Sequence, residues 1–182
     1  MRRILVVLMI LVVMVMVSAC DTGKEKAGYH QNKNGTFEKN YQKDIDVIYF
    51  SHWAIFRAED DTTAYKVDLK NNTFSMIDSG AEYSQAKWGT EEGDADFKLV
   101  CMLEDDAIDS FFRESARFGF TLWKQSYTDK SVLDGSHWYI KICFSDGTTR
   151  EMSGTNKFPD TWNDMMGAFN KLTGYTFKAS GG

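Results

Sequence analysis

The residues best equipped for chemistry are His30, His52 and His137, with Cys20, Cys101 and Cys143 and the acidic run Glu104-Asp105-Asp106. A histidine beside a cysteine can activate a thiolate, and mixed His, Cys and carboxylate sets can hold zinc. Their spacing supports neither. There is no His-Glu-x-x-His, no Gly-x-Ser-x-Gly, no phosphate-cradling glycine loop and no cysteine pair at metal spacing. His30 lies in a polar stretch, whereas His52 and His137 fall in strand patterns, where histidines are usually packed and hydrogen-bonded. The acidic run suits the first turn of a helix, whose dipole favours carboxylates. It also lacks calcium-loop spacing. These features predict a non-catalytic chain with no catalytic residue, metal or cofactor.

Two stretches are better suited to binding than to catalysis. Ser153-Gly154-Thr155-Asn156-Lys157 precedes an apolar stripe opened by Pro159, and small hydrogen-bonding residues before a helix can hold an anion. The plainer reading is a connector that caps that helix. Five tryptophans raise the question of sugar stacking. Trp53, Trp138 and Trp162 fall on apolar faces and read as core, and Trp123 is ambiguous. Trp88 stands alone in a polar stretch and is the exposed candidate. The expected ligand surface is therefore Trp88, Thr155, Asn156 and Lys157. Asp21-Thr22-Gly23 has the spelling of an aspartic-protease motif but no flanking strand.

The remaining cysteine has a different context. Arg2 and Arg3 are followed by an apolar run from Ile4 to Val17, and then by Ser18-Ala19-Cys20. The run is shorter than the about 20 residues needed to cross a bilayer core. A positive start, an apolar stretch and small residues at a cut point form an export signal. Val17-Ser18-Ala19-Cys20 resembles the lipobox of bacterial lipoproteins. The resemblance implies cleavage after Ala19 and a diacylglyceryl group on Cys20. It covers only the start of the chain, and no family is recognised for the rest. Residues 1–19 are thus expected to be a signal peptide, and the Cys20 lipid to hold the protein on the extracytoplasmic face of a bacterial cell membrane. Two acyl chains suffice for stable anchoring. Asp21 resembles the inner-membrane retention signal of double-membrane bacteria.

Removing Arg2 and Arg3 with the leader takes the formal net charge from −5 to −7. An acidic surface is poorly suited to nucleic acid. Residues 20–43 are polar, without apolar periodicity, and read as the lipidated cysteine plus a flexible tether. Residues 44–178 read as a single domain.

Within that domain, Ile45 to Phe56 is apolar on both faces and predicts a central strand, with Ile45, Val47 and Tyr49 on one side and Ile48 and Phe50 on the other. Tyr65, Val67 and Leu69 alternate with polar residues up to Asn71-Asn72. A two-residue turn there sets Leu69 against Phe74 and Val67 against Met76. Phe97, Leu99, Cys101 and Leu103 alternate as a further strand. Ile108, Phe111, Phe112 and Ser115 mark a helix opened by Asp105 and closed by Gly119. Phe120 to Tyr127 is strand-like. Trp138, Ile140, Ile142 and Phe144 alternate up to Asp146-Gly147, whose simplest turn opposes Phe144 and Thr149. Trp162, Met165, Met166, Phe169 and Leu172 form the stripe of a last helix from Pro159. Cys101 and Cys143 lie in strand patterns, and a bridge between them is an open alternative to two reduced thiols.

Runs of strands joined by hairpins with few helices predict an α+β fold: a mostly antiparallel sheet of about six or seven strands with two amphipathic helices packed on it. The expected function is a membrane-anchored, non-catalytic binding or interaction module, taking a small ligand or an envelope protein. One alternative is an accessory or inhibitory subunit docking through an edge strand near Thr148–Met152. The other is an envelope enzyme whose acid and base meet only in the fold.

Overall fold

The computed structural model describes residues 29–31, 37–39, 44–54, 63–77, 84–131 and 135–177. The export signal and Cys20 lie outside the described residues, as do Ile55, Phe56 and the side chains of His30 and Trp53. The chain divides into two compact units, residues 1–40 and 41–182. In the first, β1 (Tyr29–Gln31) pairs antiparallel with β2 (Phe37–Lys39), Tyr29 opposite Lys39 and Gln31 opposite Phe37. Regular pairing thus occurs inside the segment whose composition predicts only a tether. The sequence between the strands holds Asn34-Gly35, a strong hairpin-turn dipeptide.

The second unit is built on seven strands: β3 (Ile45–Ala54), β4 (Thr63–Asp68), β5 (Thr73–Ile77), β6 (Lys98–Met102), β7 (Ser126–Thr128), β8 (Ser136–Phe144) and β9 (Thr149–Thr155). Their spatial order is β6-β5-β4-β3-β8-β9-β7. All pairs are antiparallel except β7 with β9. With β3 at the centre, the two-sided apolar strand lies where both faces can be covered. Helices α2 (Asp105–Arg117) and α3 (Trp162–Thr173) complete the predicted α+β architecture, and α1 (Glu91–Asp94) is a single turn.

The larger core joins Ile48, Phe50, Val67, Phe74, Ile140 and Ile142 of the sheet to Ile108 and Phe111 of α2 and Met165, Phe169 and Leu172 of α3. A smaller cluster on the other face holds Tyr49, Ala64, Ile77 and Trp88, flanked by Val47, Phe97, Tyr139 and Cys143. Ile45 departs from the alternation. A bulge between Ile45 and Val47 turns it into the larger core beside Ile48.

Both hairpin registers differ from the simplest reading. At Asn71-Asn72, Val67 pairs with Phe74 and Tyr65 with Met76, so the loop is longer than two residues. The Asp68 carboxylate explains this. It accepts from the Asn71 backbone N–H and side-chain amide, both at 2.9 Å, and Asn72 takes a left-handed φ of 56°. The apolar face is unchanged, because the register moves by whole strand periods. At Asp146-Gly147 the shift matters more. Gly147 adopts φ 82°, Phe144 N–H donates to Thr148 O at 2.9 Å, and Cys143 lies opposite Thr149. That odd shift sets Met152 against Ile140 and buries it.

Two further segments differ. Phe120–Leu122 is a 3-10 turn rather than a strand, and only Ser126–Thr128 joins the sheet. Gly119, at φ 63°, ends α2 as predicted and redirects the chain. The last helix begins at Trp162, with its first turn set by Trp162 N–H donating to Pro159 O at 3.0 Å. Its five predicted apolar residues are all buried, and Gly174 closes it.

Candidate functional site

Trp88 is not an exposed platform. It is 1% exposed and stacks on Tyr49 with ring centroids 5.5 Å apart. The segment around it forms a lid over the second face of the sheet. A 3-10 turn (Gln85–Lys87) leads into α1, whose first turn is capped by Thr90 Oγ1 accepting from Gly93 N–H at 3.1 Å. Lys141 Nζ donates to Trp88 O at 2.6 Å. The segment is polar in composition because its outer side meets water, and its one tryptophan supplies the inner side.

Asp94 locks this lid to the sheet. Its carboxylate accepts from Tyr49 Oη at 2.8 Å, Lys66 Nζ at 2.7 Å and Gly89 N–H at 3.0 Å. Burial pushes the Asp94 carboxyl up, but these hydrogen bonds and the Lys66 charge outweigh it and hold it below the usual value. Burial, followed by the bond to Asp94, pushes the Tyr49 phenol well above its ordinary value. Each group is already engaged, so the cluster is a clasp and not an acid–base pair open to substrate. Among the described residues, no three His, Cys, Asp or Glu side chains group to hold a metal.

Thr155, Asn156 and Lys157 are not a loop at a helix N-terminus. Thr155 ends β9, and its hydroxyl lies 3.0 Å from His137 Nδ1. Asn156 turns the chain at φ 55°, with its N–H donating to Ser136 O at 2.9 Å. Lys157 O accepts from Trp138 Nε1 at 2.9 Å. This stretch closes over Trp138, and α3 starts only at Trp162. The Lys157 side chain does reach the surface, in a depression of about 430 Å³ shared with Lys124, Tyr127, Thr128, Phe158 and Asp160. Of the four expected ligand residues, Lys157 lines this depression.

Trp123, Trp138 and Trp162 form one buried cluster, and Trp123 Nε1 donates to Thr161 Oγ1 at 3.0 Å. Cys101 and Cys143 carry free thiols on opposite faces of the sheet. Glu104, Asp105 and Asp106 open α2 as expected, and Asp105 accepts from Asn72 Nδ2 at 2.9 Å.

Among the described residues, the most exposed apolar surface is one that strand alternation hides. In β6, Leu99 is 62% exposed, Val100 46% and Met102 60%. Among the described residues β6 is an end strand of the sheet and pairs only with β5. Phe74 lies opposite Cys101 but Ser75 opposite Leu99, so Val100 is an extra residue that breaks the phase. Cys101 and Leu103 therefore pack inward, while Leu99 does not. Exposed acids flank the strand: Glu91, Glu92 and Asp96 before it, Glu104, Asp105 and Asp106 after it. A depression of about 450 Å³ lies at its end, lined by Asn72, Met102, Leu103 and the second acidic group. The edge expected near Thr148–Met152 has no strand on its outer side among the described residues. β9 pairs with β8 throughout, and β7 covers its outer side at Ser153–Thr155 alone.

Fold and surface together define an α+β domain with one apolar, acid-flanked end strand. No family model matches this chain, and no curated protein or solved structure matches it either.

Proposed function

We propose that this chain is a lipid-anchored, non-catalytic interaction module, held by Cys20 on the extracytoplasmic face of a bacterial membrane and docking on an envelope protein. The observation that carries the docking is the open β6 edge with Leu99, Val100 and Met102 exposed. An end strand offers unpaired backbone groups, and proteins that do not use such an edge blunt it with charge or proline. The anchor rests on the order Val17-Ser18-Ala19-Cys20 after an apolar run. Among the described residues no helix is long and apolar enough to cross a membrane.

Two measurements test this reading. Alkyne-palmitate fed to cells should label the full chain but not Cys20→Ser, which should leave the membrane fraction. A photo-crosslinking amino acid at Met102, in intact membranes, should form a discrete protein adduct that the same group at Lys171 does not. Equal membrane retention of Cys20→Ser, or adducts alike from both positions, would overturn it. A second reading, capture of a small anionic ligand, is favoured by the depression holding Lys124 and Lys157. It predicts that Lys157→Ala removes a ligand-induced thermal shift while leaving the Met102 adduct intact.

A further inference from the structure

Resting on the docking reading above, we infer that the partner presents an extended segment with an apolar centre and basic side chains at its ends, added as a strand to the outer edge of β6. Three observations carry this. The outer side of β6 has no strand beside it among the described residues, so its backbone groups on that side are open to a further strand. Its exposed centre is apolar, at Leu99, Val100 and Met102, whereas the opposite end strand β7 is three polar or aromatic residues long, Ser126 to Thr128. A short polar edge is a protected edge, whereas β6 carries a bulge at Val100 and one charge, Lys98, around an exposed apolar centre.

The charge pattern then selects the occupant. Asp96 stands directly before the strand and Glu104, Asp105 and Asp106 directly after it, with Lys98 the one basic residue between them. Glu91 and Glu92 belong to α1, which is clasped over β3 and β4, and Glu92 is paired with Lys87. A segment lying along β6 meets Asp96 at one end and Glu104, Asp105 and Asp106 at the other, whichever way it runs. Basic ends gain at each, and acidic ends lose. The same pattern disfavours a second copy. Antiparallel pairing of two β6 strands sets the Asp96 end of one against the Glu104–Asp106 end of the other, and parallel pairing stacks each acidic group on its own equivalent.

The test uses the full lipidated chain in detergent micelles and two fluorescent peptides read by anisotropy. One alternates Val and Thr between paired lysines; the other has glutamates in place of the lysines. The basic peptide should bind and the acidic one should not. Leu99→Asp with Met102→Asp should weaken binding about tenfold or more, although it adds negative charge, because it removes the apolar centre. Glu104→Lys with Asp106→Lys should weaken it separately with the strand intact. Both pairs are surface changes, and unaltered thermal unfolding confirms that they fold. Equal binding of both peptides would overturn the basic-segment inference and leave the docking reading standing. Tighter binding by the Asp variants would overturn strand addition, since attraction to charge alone would explain it. A dimer in light scattering that Leu99→Asp with Met102→Asp dissolves would assign the edge to a second copy. Failure of both peptides, together with no adduct at Met102, would sink the docking reading itself.

Discussion

The Tyr49 hydroxyl donates to the Asp94 carboxylate at 2.8 Å across 45 residues of sequence. Tyr49 belongs to the central strand and Asp94 to the one-turn helix of the lid, so one hydrogen bond joins the middle of the sheet to the segment that covers it. Lys66, one strand away, places its ammonium on the same carboxylate oxygen at 2.7 Å. The clasp explains how a polar segment with few apolar residues stays seated over a tryptophan.

Asp94→Asn should therefore cost about 1–3 kcal/mol, since it leaves Lys66 and Tyr49 without their charged acceptor in a half-buried site. The effect depends on pH. The Asp94 pKa is held below its model-compound value of 3.8, so its stabilisation is present above that pH and is lost as pH falls through the lower folded value. Urea melts of wild type and Asp94→Asn should differ at pH 7 and converge as the medium is acidified. A gap that persists undiminished in strong acid would remove the carboxylate from the explanation.

Trp88→Ala should destabilise the domain by about 3–5 kcal/mol, the cost of emptying a fully buried aromatic site. Chemical denaturation checks this directly. A surface tryptophan reserved for stacking on sugars would change stability hardly at all, so the result separates the packed ring of the structure from an exposed platform.

Gly154 lies against the Trp138 indole. A Cβ there would sit 2.1 Å from Trp138 Nε1 and 2.6 Å from Lys157 O. Gly154→Ala must displace the ring or the turn that closes over it, at a cost of about 1–3 kcal/mol. Differential scanning calorimetry should show a lower midpoint, and a fluorescence shift should report the moved indole.

Cys101 and Cys143 should stay reduced under oxidising conditions, since they face opposite sides of the sheet. The Cys101 thiol donates to Thr173 O at 3.6 Å, and burial pushes the Cys143 thiol up. Alkylation of the unfolded protein without prior reduction should modify both. In the folded state Cys143 should react slowly, because little thiolate forms. A mass consistent with a Cys101–Cys143 bridge would contradict the sheet order.

Local rules were legible wherever one element's own period decided the outcome. The stripe from Trp162 to Leu172 is buried as its spacing predicts, and Ile108, Phe111 and Ser115 face the core from α2. Hairpin existence was legible, but register was not. Asp68 lengthens one loop with its carboxylate, and Gly147 adds a residue to the other through a left-handed φ. A side-chain acceptor and a positive φ both decide against the shortest turn, and neither shows in apolar alternation.

By itself, then, the sequence determined the class of fold, the inward faces of most strands and both long helices, and the lipobox-like order at Cys20. Those depend on a residue and its near neighbours, because the 2.0 and 3.6 periods repeat within one element. Only the tertiary structure decided that Trp88 is buried, that β7 joins in parallel, and that β6 is an end strand with its apolar centre exposed. Each depends on which distant segment arrives alongside. A strand's alternation states which side chains share a face, and it contains no term for whether another strand or a covering segment comes to meet them.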